Sequence, residues 1–143
     1  FATVQMKEYL GDLIEQLGKS YNDKFKEIRL ELETNDIIMN IDTVVPLGLI
    51  ICELTTNAFK YAFADQNGGK LKIEIKKQAS EEFMLVVKDN GSGMPDDFNF
   101  LESKTLGVEI VTALTDQLDG SISYTSNDNG TVIYIKFKEI LNK

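Results

Sequence analysis

Apolar residues in this chain recur at two periods, and the order in which those periods alternate leaves few folds open. From about residue 6 to residue 19, Tyr9, Leu10, Leu13, Ile14 and Leu17 fall at helical spacing among Lys, Glu, Asp and Gln. Ile28-Arg29-Leu30-Glu31-Leu32-Glu33 then alternates strictly, as a half-buried strand does. Residues 37–41 read as a second strand, with Asn35-Asp36 as the tight turn joining the two. Asp42 or Thr43 is placed to cap a long helix that tolerates Pro46 in its first turn. That helix is expected to reach about Ala64 and to stop at Asn67-Gly68-Gly69. Residues 71–77 and 83–88 are two further strands around a polar turn. Residues 89–106 show no period and are rich in Gly, Asp, Asn and Ser, so they read as a long loop, and loops of such length tend to be functional. Residues 107–119 form a third helix, with Val108, Ile110, Val111, Leu114 and Leu118 on its buried side. Residues 121–125 and 131–137 make a terminal hairpin around Asn127-Asp128-Asn129-Gly130. The order α-β-β-α-β-β-loop-α-β-β predicts an α+β fold. It is a two-layer α/β sandwich, with about three helices on one face of a mixed, mostly antiparallel sheet.

Composition narrows the chemistry. A chain of 143 residues, 43% hydrophobic and 27% charged, suffices for one globular domain with a real core. It contains no His and a single Cys, Cys52, which rules out an internal disulfide and the usual zinc, haem and iron–sulfur ligand sets. A histidine general base is excluded for the same reason. The net charge is −8 and the basic residues are scattered, against the continuous cationic surface that a nucleic acid needs. The longest apolar candidate, residues 44–58, is broken by Pro46, Gly48, Glu53 and Asn57, so no membrane span is expected. The start, Phe1-Ala2-Thr3, has no initiator Met and no basic region, and reads as a cut from a longer protein without a signal peptide.

Three places carry candidate chemistry. On the long helix, Leu47, Ile51, Leu54, Ala58 and Ala62 share one face, while Glu53, Asn57 and Lys60 lie together opposite. That stripe suits a solvated helix face. Equally, it combines a carboxylate, an amide and an ammonium, a set that orients a nucleophile, ligates a hard cation and binds a phosphate. Asp89-Asn90-Gly91-Ser92-Gly93 follows the apolar strand residues Leu85, Val86 and Val87. An Asn-Gly hairpin would need a strand straight afterwards, which Met94-Pro95-Asp96-Asp97-Phe98 does not supply, and a calcium loop would need oxygen ligands where Gly91 and Gly93 stand. What remains is a carboxylate fixed at a strand end, with two glycines that let backbone or ligand come close. Gly107, at the start of the third helix, offers free N–H groups to an anion, and Lys104 adds a second phosphate contact; equally, Gly107 simply ends the loop. Neither the Gly-x-x-x-x-Gly-Lys-Ser/Thr loop nor the dinucleotide fingerprint is present.

Taken in order, these segments resemble the GHKL superfamily of gyrase, heat-shock chaperone, histidine kinase and MutL-type ATP-binding domains. Glu53-Leu54-x-x-Asn57-Ala58-x-Lys60-Tyr61-Ala62 looks like the N box, and Asp89-x-Gly91-x-Gly93 like the first glycine box. Leu106-Gly107 looks like a reduced second glycine box, and Gly130-Thr131 through Phe137 like the closing Gly-Thr strand. Met6-Lys7-Glu8-Tyr9-Leu10 and Gly107-Val108-Glu109-Ile110-Val111 with Leu118-Asp119-Gly120 are most similar to sensor histidine kinases of the short-lid, HWE-like type. The resemblance implies a Bergerat-type ATP-binding fold over residues 21–143, preceded in 1–20 by the tail of a dimerisation or linker helix. It implies that Asp89 binds the adenine amino group, that Asn57 ligates Mg2+, and that Lys60 touches phosphate. Tyr61 would pack beside the base, and Thr131 would join the hydrogen bonding around it. Gly91, Gly93 and Gly107 would give backbone room, with Met94, Lys104 and Leu106 completing the ATP-binding surface. Glu53 would orient or deprotonate an acceptor histidine, with Asn57 and Lys60 as its catalytic companions. The implied partners are a histidine-bearing dimerisation domain of the same protein and a response-regulator receiver domain, with no nucleic acid. The implied setting is a cytoplasmic two-component phosphorelay in which this segment does not enter a membrane. A conformational ATPase of gyrase or MutL type and an anti-sigma-factor serine kinase are the alternatives within the superfamily.

Overall fold

The computed structural model describes residues 2–20, 28–63 and 68–141. The chain opens with a short strand, β1 (Thr3–Gln5), that leads directly into helix α1 (Met6–Ser20). Met6, Leu10 and Ile14, one turn apart, are its buried face. Strands β2 (Ile28–Thr34) and β3 (Ile38–Asn40) follow, then the long helix α2 (Ile41–Asn57), which runs on as a π-helical turn over Ala58–Ala62. Next come β4 (Gly69–Ala79) and β5 (Glu82–Asp89), helix α3 (Leu106–Gln117), and the closing strands β6 (Ser121–Asn127) and β7 (Gly130–Lys138). The expected end of the long helix at Ala64, and Asn67 of its stop signal, lie outside the described residues; Gly69 already belongs to β4.

Five strands form one sheet in the order β2-β4-β5-β7-β6. β4, β5, β7 and β6 are antiparallel neighbours, and β2 alone runs parallel to β4. The expected β2–β3 hairpin does not form. β3 pairs instead with β1, with Thr3 opposite Asn40 and Gln5 opposite Ile38. Local alternation marks a strand but not its partner. Here Leu30 and Leu32 stand beside Leu71 and Ile73, and α2 supplies the long crossover that a parallel pair requires. Across the edge of the sheet, Lys70 reaches Glu31 at 3.1 Å and Lys72 reaches Glu33 at 2.9 Å.

Period-two alternation sorts the sheet into two faces. Leu71, Ile73 and Ile75 of β4, Phe83, Leu85 and Val87 of β5, and Ile133, Ile135 and Phe137 of β7 form the buried face. Against them pack Leu47, Ile50, Ile51 and Leu54 of α2, Val108 and Val111 of α3, and the α1 residues named above. Phe83 and Phe137 stack with ring centroids 5.6 Å apart. The opposite face carries the Lys and Glu residues of β2 and β4. By length and composition α2 with its π turn would pass as a membrane span, yet more than half of it is spent on the core.

The cap of α2 is Asn40, not Asp42 or Thr43. Its Oδ1 accepts from the Thr43 backbone N–H at 3.1 Å, and its Nδ2 donates to the Ile140 carbonyl. The Asn40 N–H donates to Glu139 at 2.8 Å, and the Ile140 N–H donates to Thr43 Oγ1 at 2.7 Å. The capping residue is thus also the point where the segment after β7 is tied to the helix, and that second role lies some hundred residues away in sequence. The long loop is also not structureless. Phe100–Glu102 make a 3-10 turn, Phe100 is buried in the core, and its N–H donates to the Tyr124 hydroxyl at 3.1 Å.

Candidate functional site

Helix α2 presents Glu53 and Asn57 one turn apart, both half-buried, on the side away from the core residues Leu47, Ile51 and Leu54. Past Asn57 the helix widens to π spacing over Ala58–Ala62. π turns are often found where a helix serves a site. The change of pitch alters the expected stripe. Lys60 no longer follows Asn57 at α-helical spacing; it is exposed, as is Tyr61 at 71%. Phe59 and Phe63 turn into the core and hold this last turn to the sheet.

The loop after β5 closes on that turn. Asp89 Oδ1 accepts from the Gly91 N–H at 2.9 Å and the Thr131 N–H at 3.2 Å, so one oxygen is pinned and the other has no partner among the described residues. Burial pushes the Asp89 carboxyl above its ordinary value, and the two backbone donors act in the opposite sense. Gly91 lies against the end of α2: a Cβ there would stand 2.2 Å from the Ala62 carbonyl oxygen, which accepts from the Ser92 N–H at 3.1 Å. Gly93, at φ 81°, lies equally close to the Asn127 carbonyl. Both glycines give the close approach expected of them, although what approaches is protein backbone. The Met94 N–H donates to Ser126 Oγ at 2.7 Å, and that hydroxyl lies 3.0 Å from Thr131 Oγ1. Asp89, Gly91, Thr131, Ser126 and Met94 are therefore one hydrogen-bonded unit, against which Gly93 packs at the Asn127 carbonyl.

Helix α3 completes the arrangement. It begins at Leu106, one residue before the expected start, after Thr105, whose side chain makes no capping bond. Gly107 sits beside the α2 pair: a Cβ at that point would lie 2.8 Å from Glu53 Oε2 and 3.8 Å from Asn57 Nδ2. The polar pair of one helix thus faces the amino-terminal turn of another, where N–H groups and helix dipole favour an anion. Lys104 and Leu106 are exposed at the entrance to this turn, Leu106 by 74%.

Several residues that build the site carry no sequence signal of their own. Ser126 links Met94 to Thr131 from an adjacent strand. Asn90 Oδ1 accepts from the Lys70 N–H at 2.7 Å, and the Asn90 N–H donates to the Lys70 carbonyl at 3.2 Å, fastening the loop to the start of β4. Tyr124 and Asn99 hold the middle of the long loop. Phe100, a large apolar residue in a polar stretch, is the one whose composition could have given it away.

The described residues hold no group of three or more Cys, Asp or Glu side chains suited to a metal ion. The amino-terminal turn of α3 is an anion seat beside the Glu53–Asn57 pair, and half-buried Asp89 keeps one carboxylate oxygen without a partner among the described residues. Residues 42–140 match the family of histidine kinase-, DNA gyrase B- and HSP90-like ATPases. The chain belongs to this ATPase family. As a member it is an ATP-binding domain. It is 25% identical over 132 residues to blue-light-activated histidine kinase 2 of Erythrobacter litoralis, covering 92% of this chain and 38% of that protein. It is 30% identical over 133 residues to the sensor histidine kinase PdtaS of Mycobacterium tuberculosis, covering 89% of this chain and 26% of that protein. The ATPase domain thus spans well under half the length of these curated relatives. Its fold matches that of the histidine kinase domain of an Erythrobacter litoralis blue-light-activated kinase, with a TM-score of 0.86, 24% identity and coverage of 95% of this chain and 62% of that one. The mycobacterial sensor histidine kinase MprB has the same fold, with a TM-score of 0.76, 20% identity and coverage of 96% and 98%.

Proposed function

We propose that this domain is the catalytic part of a two-component sensor histidine kinase, transferring the γ-phosphoryl group of ATP to a histidine that another domain supplies. The observation that carries the reading is the meeting of Glu53 and Asn57 with the amino-terminal turn of α3. That arrangement aims a carboxylate and an amide at a place where the phosphate end of a nucleotide would be held. Phosphoryl transfer asks a protein chiefly for positioning and charge stabilisation, which such a site offers. The kinases among the relatives favour this over a gyrase- or MutL-type ATPase and over an anti-sigma-factor kinase.

In this reading Asp89 accepts from the adenine amino group with its free oxygen, while Gly91 and Thr131 hold the other oxygen in place. Tyr61 and Met94 flank the base. Asn57 offers its amide oxygen to Mg2+, which neutralises phosphate charge when bound, and Lys60 and Lys104 swing in from the rim to the phosphate oxygens. Gly107 and Leu106 present backbone N–H groups to the same oxygens. Glu53 takes up or orients the proton of the incoming imidazole, so that its free nitrogen attacks phosphorus as the bond to ADP breaks. With no histidine in the chain, the acceptor belongs to a dimerisation domain, with residues 1–20 as the connecting helix and 21–143 as the catalytic unit. A receiver domain is the next partner in such a relay, and the cytoplasm its setting.

The test is to mix the domain with the histidine-bearing segment of its parent, magnesium and labelled ATP. Acid-labile, base-stable label on that segment is the expected result. Rapid release of free phosphate with no transfer would sink the kinase reading in favour of a conformational ATPase.

A further inference from the structure

We propose that Gly107 is a positioning residue for Glu53: by lacking a side chain it sets where that carboxylate stands, and so governs phosphoryl transfer rather than nucleotide affinity. The proposal rests on the kinase reading of the site and deepens it. A Cβ at residue 107 would stand 2.8 Å from Glu53 Oε2, a distance that real Cβ atoms essentially never show. Its next neighbours, Asn57 Nδ2 at 3.8 Å and Oδ1 at 3.9 Å, are in ordinary contact. A methyl group here would therefore displace one group selectively: the carboxylate moves and the amide four residues on stays.

Nothing in the backbone requires glycine at this position. Gly107 lies in the first turn of α3 without a positive φ, and alanine is the better helix former. The contrast with Gly91 and Gly93 is direct. There a Cβ would meet backbone carbonyl oxygens at 2.2 Å and 2.1 Å, so those glycines are needed for the chain to pack at all. At Gly107 the obstructed atom is the free end of a flexible side chain, which can swing away without disturbing either helix. Glycine at 107 thus lowers the helix preference of α3, and what it provides in return is room for the Glu53 carboxylate beside Asn57. Because the carboxylate is the group that meets the acceptor imidazole, its displacement should be felt in the transfer step, where small misplacements are costly.

The test is Gly107→Ala in this chain, examined in two ways. In the 13C spectrum of the labelled protein, the Glu53 carboxyl resonance, assigned by its loss in Glu53→Gln, should move in the alanine variant. Transfer from ATP to the added histidine segment should fall about 10- to 100-fold, with ATP affinity changed less than about threefold and no loss of thermal stability. Glu53→Asp, one methylene shorter, should restore part of that loss when combined with Gly107→Ala, so that the two substitutions are not additive. An unmoved Glu53 resonance, or an affinity loss as large as the loss of transfer, would show Gly107 to be a phosphate seat only and overturns the proposal. A wild-type domain that transfers nothing defeats the kinase reading instead, and the Glu53 resonance then still decides whether Gly107 positions that carboxylate.

Discussion

At Asp89 the carboxylate holds two backbone N–H groups with one oxygen, and in the proposed reading the other oxygen meets the adenine amino group. Asp89→Asn keeps the first function, because an amide oxygen can accept from Gly91 and Thr131, but it turns an NH2 group toward the adenine amino group. Donor then faces donor, which costs about 1–3 kcal/mol for an unpaired buried group, or roughly 10- to 100-fold in affinity. Isothermal titration with ATP should record that loss, while the melting temperature at pH 7 stays level or rises. The expectation about stability follows from the direction of the Asp89 shift. Burial raises its folded-state value above the unfolded one, so its contribution to stability is complete at acid pH and is lost as pH rises through the folded value. At neutral pH the charged carboxylate is a cost that the amide removes. Binding has the opposite pH dependence, since the ligand needs the ionised form: ATP affinity should fall as pH drops through the raised Asp89 value, at a higher pH than an ordinary Asp would give. A pH titration of affinity checks this, and a profile identical in Asp89→Asn would remove Asp89 as its cause. The placement of this residue, at a strand end beside two close-packed glycines, was readable from Asp-x-Gly-x-Gly after an apolar strand. The Thr131 N–H and the Ser126 hydroxyl beside it were not, because a neighbouring strand brings them.

On the scale of elements, the helix and strand periods located nearly every segment, and they failed where a segment's environment is non-local. The cap of α2 is one example. Asn40 closes the helix and grips Glu139 and Ile140. Its replacement by Ala removes the cap and leaves the Ile140 carbonyl and Thr43 N–H without their partner. The expected cost is about 2 kcal/mol, measured by urea unfolding. The π turn is another. Its widening carries Lys60 off the helical stripe, and no residue pattern announces that change of pitch. The loop after β5 is bolted to this turn through the Ala62 carbonyl, so Gly91→Ala should lower the melting temperature and ATP affinity together. That joint loss distinguishes it from Asp89→Asn, which should affect only affinity.

For the molecule as a whole, a ligand that binds the folded state alone stabilises it by mass action, by about 2.7 kcal/mol at a concentration one hundred times its dissociation constant. Thermal unfolding in ATP and magnesium at that concentration should therefore shift upward in the wild-type domain and clearly less in Asp89→Asn, where a roughly 10- to 100-fold weaker affinity leaves about 0.4–1.4 kcal/mol. The sequence by itself determined the element types, the two-layer class and the motif residues, because periodicity and glycine placement are local properties of the chain. It also determined that this chain has no histidine of its own, so in the proposed kinase reading the acceptor is supplied from outside it. Only the tertiary structure decided the partners. β3 joins β1 rather than β2, β2 joins β4 in parallel, and Gly107 meets Glu53 across two helices. Each of these is settled by burial and steric fit between residues distant in sequence. A spacing rule reads one segment at a time and has no access to them.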